Sequence, residues 1–127
     1  MEKTKLVFLT GATWNVAVSV LFFIMSVVAP SAFTDLGFTI PNTMVYFHSF
    51  LGFVGLFGVA FFIAYKDTSA RRGIALLGVF EKFLIPGILI GYFFFAGGMG
   101  AIILGLCAVD IVYGILFLWI YRHVPAA

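Results

Sequence analysis

Charged residues are scarce in this chain of 127 residues, because aspartate, glutamate, lysine and arginine together make up only 9% of it. A soluble globular domain has about a quarter of its residues charged, so this composition cannot supply a water-facing surface. Cysteine is scarcer still, and the single Cys107 excludes a disulfide-stabilised scaffold. The net charge of +2 is too small for a nucleic-acid-binding surface, so no nucleic-acid partner is expected.

Apolar sequence dominates instead, with 64% hydrophobic and 19% aromatic residues. A helix that crosses the hydrocarbon core of a bilayer needs about 20 apolar residues. Four segments reach that length, at residues 6–29, 44–65, 74–95 and 101–121. Their apolar residues run continuously and do not alternate as they would in a β-barrel strand. The sequence therefore predicts an all-α, polytopic membrane protein: a single domain over residues 1–127, with four transmembrane helices in an antiparallel bundle.

The positions of lysine and arginine predict the orientation of these spans. Outside the spans, Lys3 and Lys5 precede the first span and Arg122 follows the fourth. The other basic residues lie between the second and third spans, and they are Lys66, Arg71 and Arg72. Because loops rich in lysine and arginine stay in the cytoplasm, both termini are expected there, in a multi-pass protein of the inner membrane. The first span is longer than a signal-peptide apolar region and contains Asn15, so we expect it to be retained.

Six polar residues within the spans are the candidates for a site, and they are Asn15, His48, Glu81, Lys82, Asp110 and Tyr113. A charged residue at bilayer depth costs about 2.5–3.5 kcal/mol on insertion scales, so it is expected to face a partner and not lipid. A helix rises about 1.5 Å per residue, which places Asn15, Lys82 and Asp110 at similar depths near the midplane. Glu81 lies just below them, and His48 lies near the outer boundary.

Lys82 and Asp110 are predicted to form an interhelical ion pair, with Asn15 as a further hydrogen-bonding partner, because their charges are opposite and their depths similar. We interpret the pair as a structural salt bridge in preference to a catalytic dyad, and no catalytic residue is predicted. Glu81 lies about 100° around the helix from Lys82 and is not expected to share its partner. We expect Glu81 to face a second subunit, a water-filled cavity or a lipid headgroup.

Glycines recur at every third position in the second span, at Gly52, Gly55 and Gly58. Small residues at this spacing let two helix backbones approach closely, so this stripe is predicted to pack against a neighbouring helix. His48 is placed on the same stripe as Gly52 and Gly55. We interpret it as a polar residue with a hydrogen-bonding partner and not as a ligand.

The polar residues and spans resemble those of the DoxX-like family of small four-helix bacterial membrane proteins. The matching residues are the Trp14-Asn15 pair, the segment Tyr65-Lys66-Asp67, Gly78 followed by Lys82, and Asp110. The namesake of the family is a membrane subunit associated with quinone-linked oxidation of sulfur compounds. The resemblance thus implies an accessory subunit of a membrane complex, and a quinone as the associated cofactor.

Three functions remain open. The first is a non-catalytic membrane component, self-associating or bound to a larger complex, since no catalytic triad, Cys-x-x-Cys motif, phosphate loop or metal-ligand spacing is present. The second is a quinone-linked redox subunit, in which a polar side chain such as His48 or Lys82 donates to a quinone carbonyl. The third is a proton-coupled small transporter working as a dimer, in which Glu81 carries the proton.

Haem is not expected within one chain, because a b-type haem takes its axial ligands from facing helices and only His48 lies within a span. The other histidine, His123, follows the last span. No metal site is predicted, and an enzyme is the less favoured interpretation. The lipid bilayer is the one partner that the composition itself requires.

Overall fold

The computed structural model describes residues 2–97 and 99–125, and within them all regular secondary structure is helical. The helices are α1 (Lys3–Val28), α2 (Pro30–Asp35), α3 (Met44–Lys66), α4 (Arg71–Phe95) and α5 (Ile102–His123). Four of these, α1, α3, α4 and α5, are long and apolar enough to cross a membrane. This confirms the prediction of an all-helical chain with four long apolar helices. Helices α1 and α4 begin earlier than predicted, because their basic first turns are helical as well.

The short helix α2 was not predicted, because its residues were interpreted as a break between two spans. Pro30 occupies the first turn of α2, where its fixed φ favours the helix and its missing N–H leaves no bond unmade. Phe33 fastens α2 to the bundle, since it is only 3% exposed and its ring centroid lies 5.3 Å from that of Phe47. The chain after α2 stays close to the start of α5, where a Cβ on Gly100 would collide with the carbonyl oxygen of Leu36.

The long helices contact each other mainly in two pairs, α1 with α3 and α4 with α5. The two pairs meet where the beginnings of α1 and α4 lie against the ends of α3 and α5. There the ring centroids of Phe8, Phe61 and Phe117 lie 4.5–6.4 Å apart, and all three side chains are fully buried. We call this region the terminal half, and its buried core consists of Phe8, Ala12, Phe61, Ala64, Ala75, Phe117 and Ile120.

Small residues on α3 bring it close to α1. The glycine spacing predicted such contacts at three positions, and the structure has them at two. A Cβ on Gly58 would lie 2.8 Å from Val16 Cγ2, and one on Gly55 would lie 3.0 Å from Ser19 Oγ. The prediction was wrong for Gly52, which is exposed and has no neighbour within 4 Å of its Cβ position. The helix is therefore turned so that Gly52 points away from α1.

An ion pair joins the two helix pairs at the outer limit of the terminal half. Arg71 is buried at the start of α4, donates through Nε to the Ala64 carbonyl at 3.0 Å, and contacts the Glu2 carboxylate through Nη1 at 3.1 Å. Hydrogen bonds from Thr4 and from Arg71 hold the pKa of Glu2 below its ordinary value of 4.5. The chain before α1 is thereby fixed to the beginning of α4.

Candidate functional site

The charged residues of α4 and α5 meet in the interior of the bundle. Lys82 Nζ donates to Asp110 Oδ1 at 2.7 Å and to Asn15 Oδ1, so the predicted ion pair and its predicted amide partner are both present. The Lys82 side chain is 1% exposed and that of Asp110 is 19% exposed. A charge this deeply buried is stable only when opposite charges and hydrogen bonds surround it, which these contacts supply.

Glu81 belongs to the same cluster, which corrects the expectation that it would stand apart from Lys82 and its partners. It also lines the cavity described below, and a cavity was one of the three surroundings expected for it. Its Oε1 accepts from Asn15 Nδ2 at 3.3 Å, and its Oε2 lies 3.3 Å from Lys82 Nζ. The other hydrogen of the Asn15 amide goes to the carbonyl of Val54 at 3.1 Å. The angular offset between Glu81 and Lys82 does not separate them, because the flexible four-carbon stem of lysine lets its ammonium reach across the helix face.

Trp14 completes the cluster and was not among the predicted site residues. Its Nε1 donates to Asp110 Oδ1 at 2.9 Å, so that one carboxylate oxygen accepts from both Trp14 and Lys82. A sequence signal for this role exists, since tryptophan in membrane helices favours the two interfaces and Trp14 lies in the middle of α1. We call these five residues the ionic floor: Trp14, Asn15, Glu81, Lys82 and Asp110.

A cavity of about 420 Å³ extends from the ionic floor to the loops at the end of the bundle opposite the terminal half. It lies between the α1–α3 pair and the α4–α5 pair. Its remaining lining is almost entirely apolar and comprises Val18, Phe22, Phe33, Phe38, Thr39, Pro41, Phe47, Phe50, Leu51, Val54, Ile85, Ile88, Leu89, Met99, Ile103, Leu106 and Cys107. We call this part of the molecule the cavity half.

Aromatic rings hold the walls of the cavity half in place. Phe33 packs against Phe22, Phe38 and Phe47 with ring centroids 5.8, 4.8 and 5.3 Å apart. Such edge-to-face and tilted pairs stabilise one another at these separations. The rings therefore line the cavity as a connected set contributed by α1, α2, α3 and the loop between α2 and α3.

Two of the six predicted site residues lie outside the ionic floor. His48 is 3.1 Å from Ser26 Oγ through its Nε2, and its ring centroid is 4.8 Å from that of Phe23. Tyr113 packs beside Phe117 in the terminal half, with ring centroids 6.1 Å apart. The sequence placed Asn15, Lys82 and Asp110 at similar depths and His48 near the outer boundary. The structure brings Glu81 together with those first three residues.

The ionic floor combines two carboxylates with one ammonium group at the end of an apolar cavity. Among the described residues, no group of three or more histidine, cysteine, aspartate or glutamate side chains could hold a metal ion. Comparisons with family models, with curated proteins and with solved structures find no match to this chain. The site itself is therefore the basis for an argument about function.

Proposed function

We propose that this protein is a non-catalytic, accessory membrane subunit that binds a small amphipathic molecule between its two helix pairs. The cavity carries this proposal, because its apolar walls suit the body of such a molecule and its ionic floor suits a polar head. Binding sites for small molecules have volumes of about 300–1,000 Å³ and combine mostly apolar walls with a few convergent polar groups. The cavity of about 420 Å³ has both properties.

The proposal includes an antiparallel arrangement of the four long helices, with both termini in the cytoplasm of a cell whose inner membrane holds the protein. The basic residues at the starts of α1 and α4 and at the ends of α3 and α5 support this orientation. The cavity half then faces away from the cytoplasm. Reporter fusions at the C terminus and in the loop at Thr39 are expected to report opposite compartments, and the same compartment for both would contradict this topology.

A quinone-linked redox subunit is the second candidate. The resemblance to the DoxX-like family supports it, and the ring-lined walls around Phe33 are suited to a flat aromatic head or an isoprenoid tail. Under this proposal the larger complex supplies the electrons, and this chain holds the quinone. An absorption spectrum of the purified protein before and after reduction is expected to show a quinone and no haem.

A proton-coupled transporter working as a dimer is the third candidate, and one observation favours it. Glu81 is buried, lines the cavity, and its Oε2 has no hydrogen-bond partner among the described residues. A carboxylate of this kind can exchange a proton with a substrate or with water that enters the cavity. Uptake of a substrate driven by a proton gradient in proteoliposomes, and its loss in Glu81→Gln, would distinguish transport from binding alone.

Native mass spectrometry of the protein released from its own membrane tests the binding proposal directly. We expect a bound small molecule on the unmodified protein and a much lower occupancy on Leu106→Trp, because Leu106 lines the cavity and the larger side chain obstructs part of it. Val112→Trp is the matched control, since Val112 lies on the same helix and is 56% exposed on its outer surface. Equal occupancy in both variants would contradict binding in the cavity.

A further inference from the structure

The hydrogen-bond donors of the ionic floor are already engaged by groups of the protein. Lys82 Nζ has three hydrogens and three close oxygens, on Asn15, Asp110 and Glu81. The two hydrogens of the Asn15 amide go to Val54 and to Glu81, and the single Trp14 N–H goes to Asp110. A ligand group that can only accept hydrogen bonds, such as a carbonyl, therefore meets no free donor here.

The acceptors of the ionic floor are in surplus. Among the described residues, Asp110 Oδ2 accepts no hydrogen bond, and Glu81 Oε2 contacts only the Lys82 ammonium, at 3.3 Å. Both carboxylates line the cavity, and Asp110, with 19% of its side chain exposed, is more accessible than Glu81, with 2%. Two carboxylates against one ammonium also leave a formal surplus of one negative charge. A buried acceptor left open costs free energy, which a ligand that donates to it recovers.

We propose that the ligand of this cavity is an amphipathic amine, with a protonated nitrogen that donates to Asp110 and is attracted by the charges of Asp110 and Glu81, and with an apolar body between the aromatic walls. A protonated amine supplies both missing elements, since it donates hydrogen bonds to carboxylate oxygens and cancels the surplus charge. The walls suit the apolar body of such a ligand, because the lining outside the ionic floor is almost entirely apolar. This inference rests on the proposed binding function and specifies the head group of the ligand.

Three probes with the same chain length separate the recognition of charge from simple apolar binding: decylamine, decanol and methyl octyl ketone. Their heads are a cation that donates, a neutral group that both donates and accepts, and a group that only accepts. The protein is held in lipid nanodiscs as the Trp119→Phe variant, which leaves Trp14 in the ionic floor as the only tryptophan of the chain. Binding is read from the fluorescence of Trp14. A second variant also carries Leu106→Phe, which narrows the cavity. Its titration under the same conditions serves as the correction for partitioning of the probes into lipid.

We expect decylamine to bind about tenfold more tightly than methyl octyl ketone, because hydrogen bonds to charged groups are the stronger ones, and decanol to lie between them. Glu81→Gln and Asp110→Asn should each remove most of this preference by removing one negative charge. Asp35→Asn is the charge-matched control, since Asp35 is exposed on α2 outside the ionic floor and its substitution should leave the preference unchanged.

The two proposals fail in different ways in this experiment. A ketone that binds as tightly as the amine, with both signals lost in Leu106→Phe, would overturn the amine inference and leave the binding function intact. Probes whose signals are all unaffected by Leu106→Phe would overturn the binding function itself. If Glu81→Gln and Asp110→Asn both fail to fold, the order of the three probes on the Trp119→Phe protein still decides between amine and ketone.

Discussion

The terminal half and the cavity half are built from the same helices and are both rich in phenylalanine, yet one is filled and the other is hollow. In the terminal half the large rings pack both against one another and against small residues. A Cβ on Gly78 would lie 2.8 Å from Phe117 and 3.0 Å from Phe61, so the glycine makes room for both rings. In the cavity half the rings of Phe33 and Phe47 pack against other rings of the same wall, and they leave the cavity between the helix pairs unfilled. The placement of small residues, more than the apolar content, thus decides where this bundle is solid.

The ionic floor lies at the boundary between these two regions. Its charges face the cavity on one side, and Lys82 packs against the glycine surface of α5 on the other, where a Cβ on Gly114 would lie 3.2 Å from Lys82 Cβ. A charged cluster in this position needs a rigid base, which the terminal half supplies. The comparison leads to five predictions, which follow from the largest expected effect to the smallest.

The largest loss of folding stability is expected when Lys82 is replaced by methionine. The substitution strands the carboxylates of Glu81 and Asp110 without their counterion, and removal of one partner from a buried ionic cluster costs up to about 5 kcal/mol. Asp110→Leu should cost less, because Lys82 keeps Glu81 and Asn15 as partners. Thermal unfolding of the detergent-solubilised variants shows which of the two substitutions lowers the stability more.

The double variant Lys82→Met/Asp110→Leu tests whether the two residues act as a pair. It should recover part of the loss, since replacing both charges by apolar groups is often neutral, and a third change, Glu81→Gln, should recover more. The reason is that Glu81 contacts Lys82 as well and is left alone in the double variant. Simple additivity of the two single effects would mean that Lys82 and Asp110 do not pair.

Phe117→Ala is expected to destabilise the protein by about 3 kcal/mol, because it removes a fully buried ring and leaves a void among close-packed neighbours. The matched change in the cavity half, Phe22→Ala, should cost about 1 kcal/mol or less, since one side of that ring already borders the cavity. Unfolding in a denaturing detergent series measures both. Equal losses would remove the distinction between a filled and a hollow half.

Two glycine substitutions on α4 compare a filled position with an open one. Gly78→Ala should destabilise by about 1–3 kcal/mol, because the new methyl group meets the rings of Phe61 and Phe117. Gly87→Ala has no neighbour within 4 Å of its Cβ position and should stabilise α4 by about 0.5–1 kcal/mol. Melting temperatures of the two variants should therefore move in opposite directions.

The smallest effect concerns the Glu2–Arg71 ion pair at the edge of the terminal half. Because the folded state lowers the pKa of Glu2, this pair stabilises the protein fully above the ordinary pKa of 4.5, and the contribution fades as the pH falls through the lowered value. The melting temperatures of the unmodified protein and of Glu2→Gln should therefore converge as the solution is acidified below pH 4.5. A difference that stays constant down to full protonation would show that the carboxylate charge is not involved.

Features that depend on depth along a helix were predictable from the sequence. Hydropathy alone located the four long helices, and opposite charge at similar depth was enough to pair Lys82 with Asp110. The rotation of a helix about its axis was harder to predict. A helix that carries small or apolar residues on more than one face does not reveal from its sequence which face packs against its neighbours. For that reason Gly52 was placed at a contact that it does not make.

Features that depend on side-chain reach or on unfilled space could not be predicted. Glu81 was expected to stand apart from Lys82 because only the angle between their Cβ directions was considered, whereas the ammonium of Lys82 reaches back to Glu81. The cavity exists because the aromatic side chains do not fill the space between the two helix pairs, and no sequence pattern indicates such unfilled space. The helix α2 that covers the cavity has only six residues, too few for periodicity to identify.

Reactivity of single cysteines tests the central claim, that the loop end of the bundle is hollow and the terminal end is solid. In a Cys107→Ser background, Val18→Cys places a thiol on the cavity wall, and Ala12→Cys places one in the terminal core on the same helix. Both proteins, held in nanodiscs, are treated with a small cationic methanethiosulfonate reagent and weighed by mass spectrometry over time. The account predicts that the thiol at position 18 is modified and the thiol at position 12 is not. Equal rates at the two positions, whether both fast or both absent, would contradict it.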